Sequence, residues 1–193
     1  KKQEIEKIIQ LMHNEKPTSI GVKSCSFYGG FRDYIGGFEE ARDNFLRIFK
    51  VYPGSKWLTH RPPTVIHDPK IQTLPVNHIN SDELYDKTGV VMYHYSYVFP
   101  TQVLKKIFYY KAKVSTFKCI DDYFYKIYLP WTTGGEEMRE FVEEIYAGVH
   151  EFKPQYRTHT RTKKFYGSHP KSIQDSMKSL KERFKEELIK YED

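Results

Sequence analysis

Two aromatic-rich stretches hold many of the residues in this chain that could do chemistry. Residues 56–64 read Lys-Trp-Leu-Thr-His-Arg-Pro-Pro-Thr, and residues 90–100 read Val-Val-Met-Tyr-His-Tyr-Ser-Tyr-Val-Phe-Pro. Both mix strand-forming apolar side chains with a histidine; the first adds threonine and arginine, and the second adds tyrosine and serine. These side chains hydrogen-bond or carry protons. Successive side chains of a strand point to opposite faces. We therefore expect these strands to floor a binding cleft, because a strand that only filled a core would not need so many polar groups.

A third stretch, residues 28–38, reads Tyr-Gly-Gly-Phe-Arg-Asp-Tyr-Ile-Gly-Gly-Phe. Paired glycines interrupt the aromatic residues twice. Glycine permits positive φ angles and close backbone approach, so this pattern predicts a shaped loop.

The hydrophobic pattern predicts the helices and strands that carry these residues. Apolar residues at helical spacing predict helices at the start of the chain, after Pro100, over 120–129 (ending before Pro130), over 138–146 and from Pro170 onward. Strands are predicted over 19–27, 46–51, 57–66 (broken by Pro62-Pro63) and 90–98. The basic, irregular stretch 148–167 predicts a surface loop. The fold class is therefore α/β (α+β), with a small mixed sheet flanked by helices and a helical C-terminal extension.

The bulk composition bounds the partners. The chain has 193 residues, a net charge of +6 and 16% aromatic residues, which favours a folded domain with an anionic partner, such as nucleic acid, a membrane surface or a phosphate-bearing substrate. The charge run over 178–190 alternates in sign along a predicted helix and is typical of a solvated face with i,i+4 pairs.

The same composition excludes several classes. Cys25 and Cys119 are the only cysteines and are far apart, which argues against a disulfide framework or a zinc–cysteine site. The eight histidines match no compact zinc-ligand spacing. The sequence shows neither a signal peptide nor an apolar run near the roughly 18 residues of a membrane span. The expected location is the cytoplasm, either free in solution or peripherally associated with a membrane.

The order of these features resembles the acceptor-side, C-terminal half of family 2-like GT-A nucleotide-sugar glycosyltransferases. The resemblance spans residues 3–111 and more loosely 150–170. It depends on the first helix and strand, the glycine-rich aromatic loop, the Arg47-Ile48-Phe49 segment, residues 57–64 and the Tyr93-His94-Tyr95-Ser96-Tyr97 block. The chain contains no Asp-x-Asp, no G-x-G-x-x-G and no P-loop.

Chain length and the resemblance together imply the domain organisation. The length of 193 residues by itself predicts one domain. The resemblance makes residues 1–193 a piece of a longer chain whose donor-binding half lies upstream, with a sheet-containing acceptor-side core over 1–112 and a helical extension over 113–193.

The resemblance also implies transfer of a sugar from a nucleotide-sugar donor, with inversion. The acceptor would be the hydroxyl of a glycan, a lipid carrier or a small molecule. Such transfer needs a carboxylate base, cations for the departing diphosphate and a platform for the sugar ring. The expected cofactor is a divalent metal, Mn²⁺ or Mg²⁺, with His94 as a metal ligand or a phosphate contact.

Site residues follow from this assignment. The expected catalytic bases are Glu39, Glu40 and Asp43, with a charged surface turn as the other interpretation. The expected substrate-binding residues supply guanidinium, imidazole, ammonium, carboxylate or aromatic groups: Tyr28, Asp33, Tyr34, Arg47, Lys56, Trp57, His60, Arg61, Tyr93 and Tyr95. The other interpretations are that Tyr93 and Tyr95 belong to the core and that His94 is a satisfied structural group.

Two further functions stay open from the sequence. Basic charge interleaved with aromatic residues is also typical of a non-enzymatic module that stacks single-stranded nucleic acid. However, the chain has no RNP, KH or zinc-finger signature, so nucleic acid is not the expected partner. The amphipathic C-terminal helix would also suit a scaffold or interaction domain.

Overall fold

The structure, a computed structural model, describes residues 2–36, 45–60, 63–66, 77–113, 122–145 and 161–191. Its described residues form a mixed α/β fold, which confirms the predicted fold class. The α-helices are α1 (Lys2–Glu15), α2 (Ser81–Thr88), α3 (Pro100–Lys113), α4 (Leu129–Thr133), α5 (Glu136–Ile145) and α6 (Lys171–Ile189). A π-helix, Tyr123–Tyr128, precedes α4.

The described strands are β1 (Ser19–Tyr28), β2 (Asp33–Gly36), β3 (Phe45–Phe49), β4 (Lys56–His60), β5 (Pro63–Ile66), β6 (His78–Ile79), β7 (Val91–Tyr97) and β8 (Arg161–Lys164). They make a six-stranded sheet with the order β3-β1-β2-β8, in which β6 and β7 also pair with β1, and a separate β4-β5 hairpin. The sheet is mixed because β6 runs parallel to β1 while β2 and β3 run antiparallel to it.

The chain divides into two compact units. The first comprises Lys1–Ser24 and Arg42–Met92, and the second comprises Cys25–Ala41 and Tyr93–Asp193.

The first unit has a small aliphatic core between α1, α2 and the start of β1. Its buried members are Leu11, Ile20, Val22, Ile79, Leu84 and Val90. On α1, Ile8, Leu11 and Met12 face this core, whereas Ile5 and Ile9 are exposed. The face that α1 buries is therefore centred on Leu11. Helix α2 has a local stop signal, because Gly89 takes φ +68° and donates its N–H to the Tyr85 carbonyl.

The first unit contains a two-stranded hairpin where the sequence predicted one strand. The sequence predicted one strand over 57–66, broken at Pro62-Pro63. The structure has two antiparallel strands in its place, with Lys56 opposite Ile66 and His60 opposite Pro63. Pro63, which has no N–H for a ladder bond, opens β5 and pairs with His60.

The second unit has the larger core, which is mostly aromatic. Its fully buried side chains include Tyr28, Tyr123, Tyr128 and Trp131. The buried hydroxyls are satisfied: those of Tyr28 and Tyr123 lie 3.0 Å apart, and that of Tyr128 donates to the Val98 carbonyl at 2.7 Å. Burial raises the pKa of Tyr28 and Tyr123 well above its ordinary value.

The helix predicted to end before Pro130 continues through it. The Leu129 N–H bonds to the Phe124 carbonyl five residues back, and Pro130 then lies in the first turn of α4. Proline is tolerated in a first turn because an N–H there has no intrahelical partner. The change from π to α register therefore creates a new helix start where the sequence predicted a stop.

Part of the predicted surface loop 148–167 is a strand. Residues Arg161–Lys164 form β8, which runs antiparallel to β2 and pairs Asp33 with Lys164 and Ile35 with Thr162. Strand β2 itself occupies part of the stretch predicted as a shaped loop. Residues 146–160 lie outside the described part of the chain.

The described helices include none that is both long and apolar enough to cross a membrane. Their charges form i,i+4 pairs of the predicted kind, such as Lys171 with Asp175 at 2.9 Å and Arg183 with Glu187 at 2.8 Å. Cys25 is a buried free thiol.

Candidate functional site

Seven ring-bearing side chains of the second unit meet around Phe27 on β1. We call this group the Phe27 cluster: Phe27, Phe31, Tyr34, Tyr93, Tyr95, Phe165 and His169. The Phe27 ring stacks on Tyr95 with centroids 4.8 Å apart, meets Phe165 edge-on at 5.0 Å and lies 4.8 Å from the His169 ring. Three residues predicted from the sequence, Tyr34, Tyr93 and Tyr95, belong to this single cluster.

The cluster has a buried floor and a half-exposed rim. Phe27 and Phe31 are buried, at 0% and 6% exposure. Tyr34, Tyr93, Tyr95, Phe165 and His169 are each partly exposed. A ring that is half covered keeps one face or edge for a ligand, and a tyrosine adds a polar tip. The arrangement can therefore both stack on a ring and hydrogen-bond to it.

Strand periodicity places the rim. Tyr93 and Tyr95 are two residues apart on β7 and share a face. Phe27 is the register partner of Tyr34 across the β1-β2 pair. Phe165 follows β8 directly, and its N–H donates to the Arg32 carbonyl at 2.7 Å, which draws the 165–169 segment toward the cluster.

His169 joins this segment to two other parts of the cluster. Its Nε2 lies 3.0 Å from the Phe31 carbonyl oxygen, and its Nδ1 lies 2.9 Å from the Tyr95 hydroxyl. Burial lowers the pKa of His169, and the positive charge of Lys181 adds to that, while the bond to Phe31 acts in the opposite direction. Burial also raises the pKa of the Tyr95 phenol.

Sequence reasoning missed Phe165 and His169. Both lie at or just after a basic stretch predicted as a surface loop. Their only signal was an aromatic residue and a histidine close to Pro170, and local pattern does not reveal the β2-β8 pairing that brings them to β7.

A separate hydrogen-bonded group consists of Ser26, His94 and Ser96. The Nδ1 of His94 lies 3.1 Å from Ser26 Oγ, and its Nε2 lies 2.7 Å from Ser96 Oγ. Successive residues of a strand point to opposite faces, so the His94 side chain lies on the other face of β7 from Tyr93 and Tyr95.

The His94 surroundings do not make a metal site among the described residues. Both ring nitrogens lie within hydrogen-bond distance of serine hydroxyls. The described residues contain no group of three histidine, cysteine or acidic side chains placed to hold a metal ion. The donor set around His94 therefore does not fit a Mn²⁺ or Mg²⁺ ion, which prefers several oxygen ligands. A divalent metal stays a prediction.

Asp33 is a buried carboxylate held by basic groups. Lys164 donates to one carboxylate oxygen at 2.7 Å, and Arg139 approaches the other at 3.8 Å. Arg139 also lies over the Trp131 ring at 4.6 Å. This set connects β2, β8 and α5, which gives Asp33 a structural role whatever else it does.

Tyr28 lies in the core of the second unit, not in the Phe27 cluster. It has no exposed surface, and its ring meets Trp131 edge-on at 5.0 Å. Adjacent strand residues face opposite ways, which is why Phe27 and Tyr28 enter different clusters.

The remaining predicted residues belong to the first unit or lie outside the described chain. In the first unit, Arg47, Lys56 and Trp57 are exposed, and Trp57 meets the Phe49 ring edge-on at 5.5 Å. His60 ends β4. The predicted bases Glu39, Glu40 and Asp43, together with Arg61, lie outside the described residues, and their roles stay predictions.

No protein-family model, curated protein or solved structure matches this chain. The geometry and the sequence motifs therefore carry the functional argument.

Proposed function

We propose that this chain supplies the acceptor-side part of a nucleotide-sugar glycosyltransferase, and that the Phe27 cluster receives the sugar acceptor. The supporting observation is the convergence of Tyr34, Tyr93 and Tyr95 from two strands into one half-exposed aromatic rim. All three residues lie in segments that resemble the glycosyltransferase family: Tyr34 in the glycine-rich aromatic loop, and Tyr93 and Tyr95 in the 93–97 block.

The rim suits a sugar for a physical reason. A pyranose has apolar C–H faces and a polar edge of hydroxyl groups. Half-buried tyrosines offer a ring face to the first and a hydroxyl to the second. Because the floor beneath them, Phe27 and Phe31, is fully packed, the rings are held in place before the ligand arrives, which lowers the entropic cost of binding.

The chemical step needs groups beyond this cluster. The base that takes the acceptor proton is assigned to Glu39, Glu40 or Asp43, and the diphosphate contacts are assigned to Arg47, Lys56, His60 and Arg61. These assignments come from the family resemblance. The Phe27 cluster would orient the acceptor so that its hydroxyl meets the donor carbon.

Saturation-transfer NMR tests the proposal. The protein is mixed with a panel of methyl glycosides, oligosaccharides and nucleotide sugars at millimolar concentration. We expect saturation transfer to sugar ring protons, and an affinity loss of about tenfold in Tyr93→Ala, which corresponds to about 1.4 kcal/mol of lost contact with the ring. Tyr125→Ala is the matched control, because Tyr125 is 63% exposed in the same unit and lies outside the cluster.

Two results would contradict the proposal. One is the absence of transfer to every sugar in the panel. The other is equal loss of binding in Tyr93→Ala and Tyr125→Ala, which would mean that the contact is not made by the cluster.

A further inference from the structure

The hydrogen bonds of His169 determine the direction in which the Tyr95 hydroxyl can act. The Phe31 carbonyl oxygen, 3.0 Å from Nε2, has no proton and can only accept. Nε2 must therefore carry the ring proton and donate it. The tautomer of His169 is therefore inferred from its partner atoms, because a carbonyl oxygen can only accept a hydrogen bond.

A neutral imidazole carries one N–H, so Nδ1 of His169 presents a lone pair. The atom 2.9 Å away is the Tyr95 hydroxyl oxygen, which must then donate its only proton to Nδ1. The phenol has one proton and two acceptor lone pairs. Since the proton is directed at His169, what remains for any other partner is acceptor capacity.

We propose that Tyr95 is a specificity-determining acceptor: positioned by His169, it selects a ligand that presents a hydrogen-bond donor, such as a sugar hydroxyl, and disfavours one that presents only an acceptor. This inference rests on the proposed function, because it names the chemical class of group that the Phe27 cluster receives. His169 is a positioning residue and contacts Tyr95, not the ligand.

Protein environment supports the required protonation states. Burial lowers the pKa of His169, which favours the neutral ring near neutral pH. Burial raises the pKa of Tyr95, so the phenol keeps its proton. Phe27, Phe31 and Phe165 surround the His169 ring with centroids between 4.8 and 6.2 Å away, and these aromatic neighbours offer no polar group that would favour the other tautomer.

The first test needs no ligand. Long-range proton–nitrogen NMR on protein labelled with ¹⁵N at histidine reports which ring nitrogen carries the proton, and the His169 signals are assigned by their loss in His169→Gln. We expect the Nε2–H form. Observation of the Nδ1–H form at neutral pH would overturn the inference, whether or not the protein binds sugar.

The second test uses paired substitutions. Asparagine at 169 places an amide oxygen near the position of Nδ1 and can still accept from Tyr95. Glutamine places its amide nitrogen near the position of Nε2, so it can keep the bond to Phe31 but leaves the Tyr95 proton free to turn outward. Tyr95→Phe keeps the ring and removes the hydroxyl.

The readout is the affinity for a binding methyl glycoside and for its monodeoxyfluoro analogues, since fluorine cannot donate a hydrogen bond. We expect one analogue to bind about tenfold more weakly to the wild type, the worth of a hydrogen bond of ordinary strength. His169→Asn should keep that preference. His169→Gln and Tyr95→Phe should reduce the affinity difference between glycoside and analogue to about twofold or less. That reduction corresponds to the loss of one hydrogen bond of ordinary strength.

The outcomes separate the inference from the proposed function. If no sugar binds the wild type, the proposed function fails, and with it the ligand class inferred for Tyr95, although the tautomer result stands. If sugars bind through the cluster but no fluorinated analogue binds more weakly, or if His169→Gln keeps the full preference, the inference fails and the proposed function survives.

Discussion

Gly29 shows how one residue is fixed by both its backbone and its neighbours. It follows β1 with φ +55°, a conformation that costs a residue with a Cβ on the order of 1–2 kcal/mol. A Cβ built there would also lie 2.5 Å from the Trp131 ring. Trp131 is fully buried and cannot move aside, so the two penalties act together.

We expect Gly29→Ala to lower the free energy of unfolding by about 3 kcal/mol, because strain contributes about 1–2 kcal/mol and overpacking about 1–3 kcal/mol. Urea denaturation monitored by tryptophan fluorescence measures it. Gly135→Ala is the control, since no atom lies within 4 Å of its added Cβ. A similar, small effect of both substitutions would contradict the packing argument.

His169 should also give the fold a pH dependence. Burial lowers its pKa from the ordinary value of 6.5, so the unfolded chain takes up a proton at a higher pH than the folded one. Folding stability therefore falls as the pH drops below about 6.5 and rises toward neutral pH. The charged or titratable groups that act on this ring include Tyr95 and Lys181, and burial raises the pKa of Tyr95.

We expect the melting temperature of the wild type to fall between pH 7 and pH 5 by more than that of His169→Asn, which has no titrating group at this position. Differential scanning calorimetry at a series of pH values measures the difference. Parallel pH profiles for the two proteins would refute the assignment of this dependence to His169.

At the scale of elements, Glu143 ties α5 to β8. Its carboxylate accepts the Trp131 indole N–H at 2.8 Å and the Thr162 backbone N–H at 3.3 Å, and the Thr162 hydroxyl also donates to it. All three partners are donors, so a group that is only an acceptor is required. This requirement explains a glutamate that is only 9% exposed.

We expect Glu143→Gln to lower the free energy of unfolding by about 2 kcal/mol, since the new amide N–H group faces donors and hydrogen bonds to a charged group contribute about 1.5–3 kcal/mol each. Glu144→Gln is the matched control, because Glu144 is exposed on the same helix. Equal stability of both variants in urea titration would show that the Glu143 network contributes nothing.

A second carboxylate, Glu187 on α6, stabilises the start of α3. It accepts the Thr101 N–H at 2.9 Å and the Arg183 Nε–H at 2.8 Å. Burial would raise the pKa of Glu187, but these donors outweigh it and lower the pKa below 4.5. Its contribution to stability is therefore present above about pH 4.5 and is lost as the pH falls.

Glu187→Gln should cost about 1–2 kcal/mol at pH 7, as expected for loss of a charged group that binds a helix N-terminus. The gap between wild type and variant should shrink as the pH is lowered toward 3. Glu186→Gln, an exposed neighbour, should show neither effect. A gap that widened in acid would reverse the sign argued from Thr101 and Arg183.

At the scale of the whole molecule, the net charge of +6 is partly dispersed in pairs. Lys87 contacts both Glu15 and Glu83, and Lys23 contacts Asp82 at 2.8 Å. Charges paired in this way attract a polyanion less than an unpaired stripe does. The composition that raised the nucleic-acid alternative therefore overstates the basic character of these surfaces.

We accordingly expect weak binding to single-stranded oligonucleotides. The slope of log K against log salt should be about −1.4 or shallower, which corresponds to two phosphate contacts at about −0.7 each. Fluorescence anisotropy from low to physiological salt measures it. A steeper slope with submicromolar affinity would favour the nucleic-acid module over the glycosyltransferase.

Helices and strands that depend on the residue types of their own segment were predictable from the sequence alone. Pro100 at a helix start and the β-branched and aromatic run of β7 each appear where the pattern predicts them, because proline and strand-forming residues act on their own backbone. The residues of the β7 strand were also recognisable as candidates for chemistry.

Which of these candidates come into contact depends on long-range strand pairing. Long-range pairing of β2 with β8 brought Phe165 and His169 to Tyr95, and one step along β1 separated Phe27 from Tyr28 into different clusters. Neither outcome is written in local pattern, because both depend on which strand lies beside which and on the face that each residue takes. The hydrogen-bond direction of Tyr95 likewise depends on a carbonyl 138 residues away in sequence from His169.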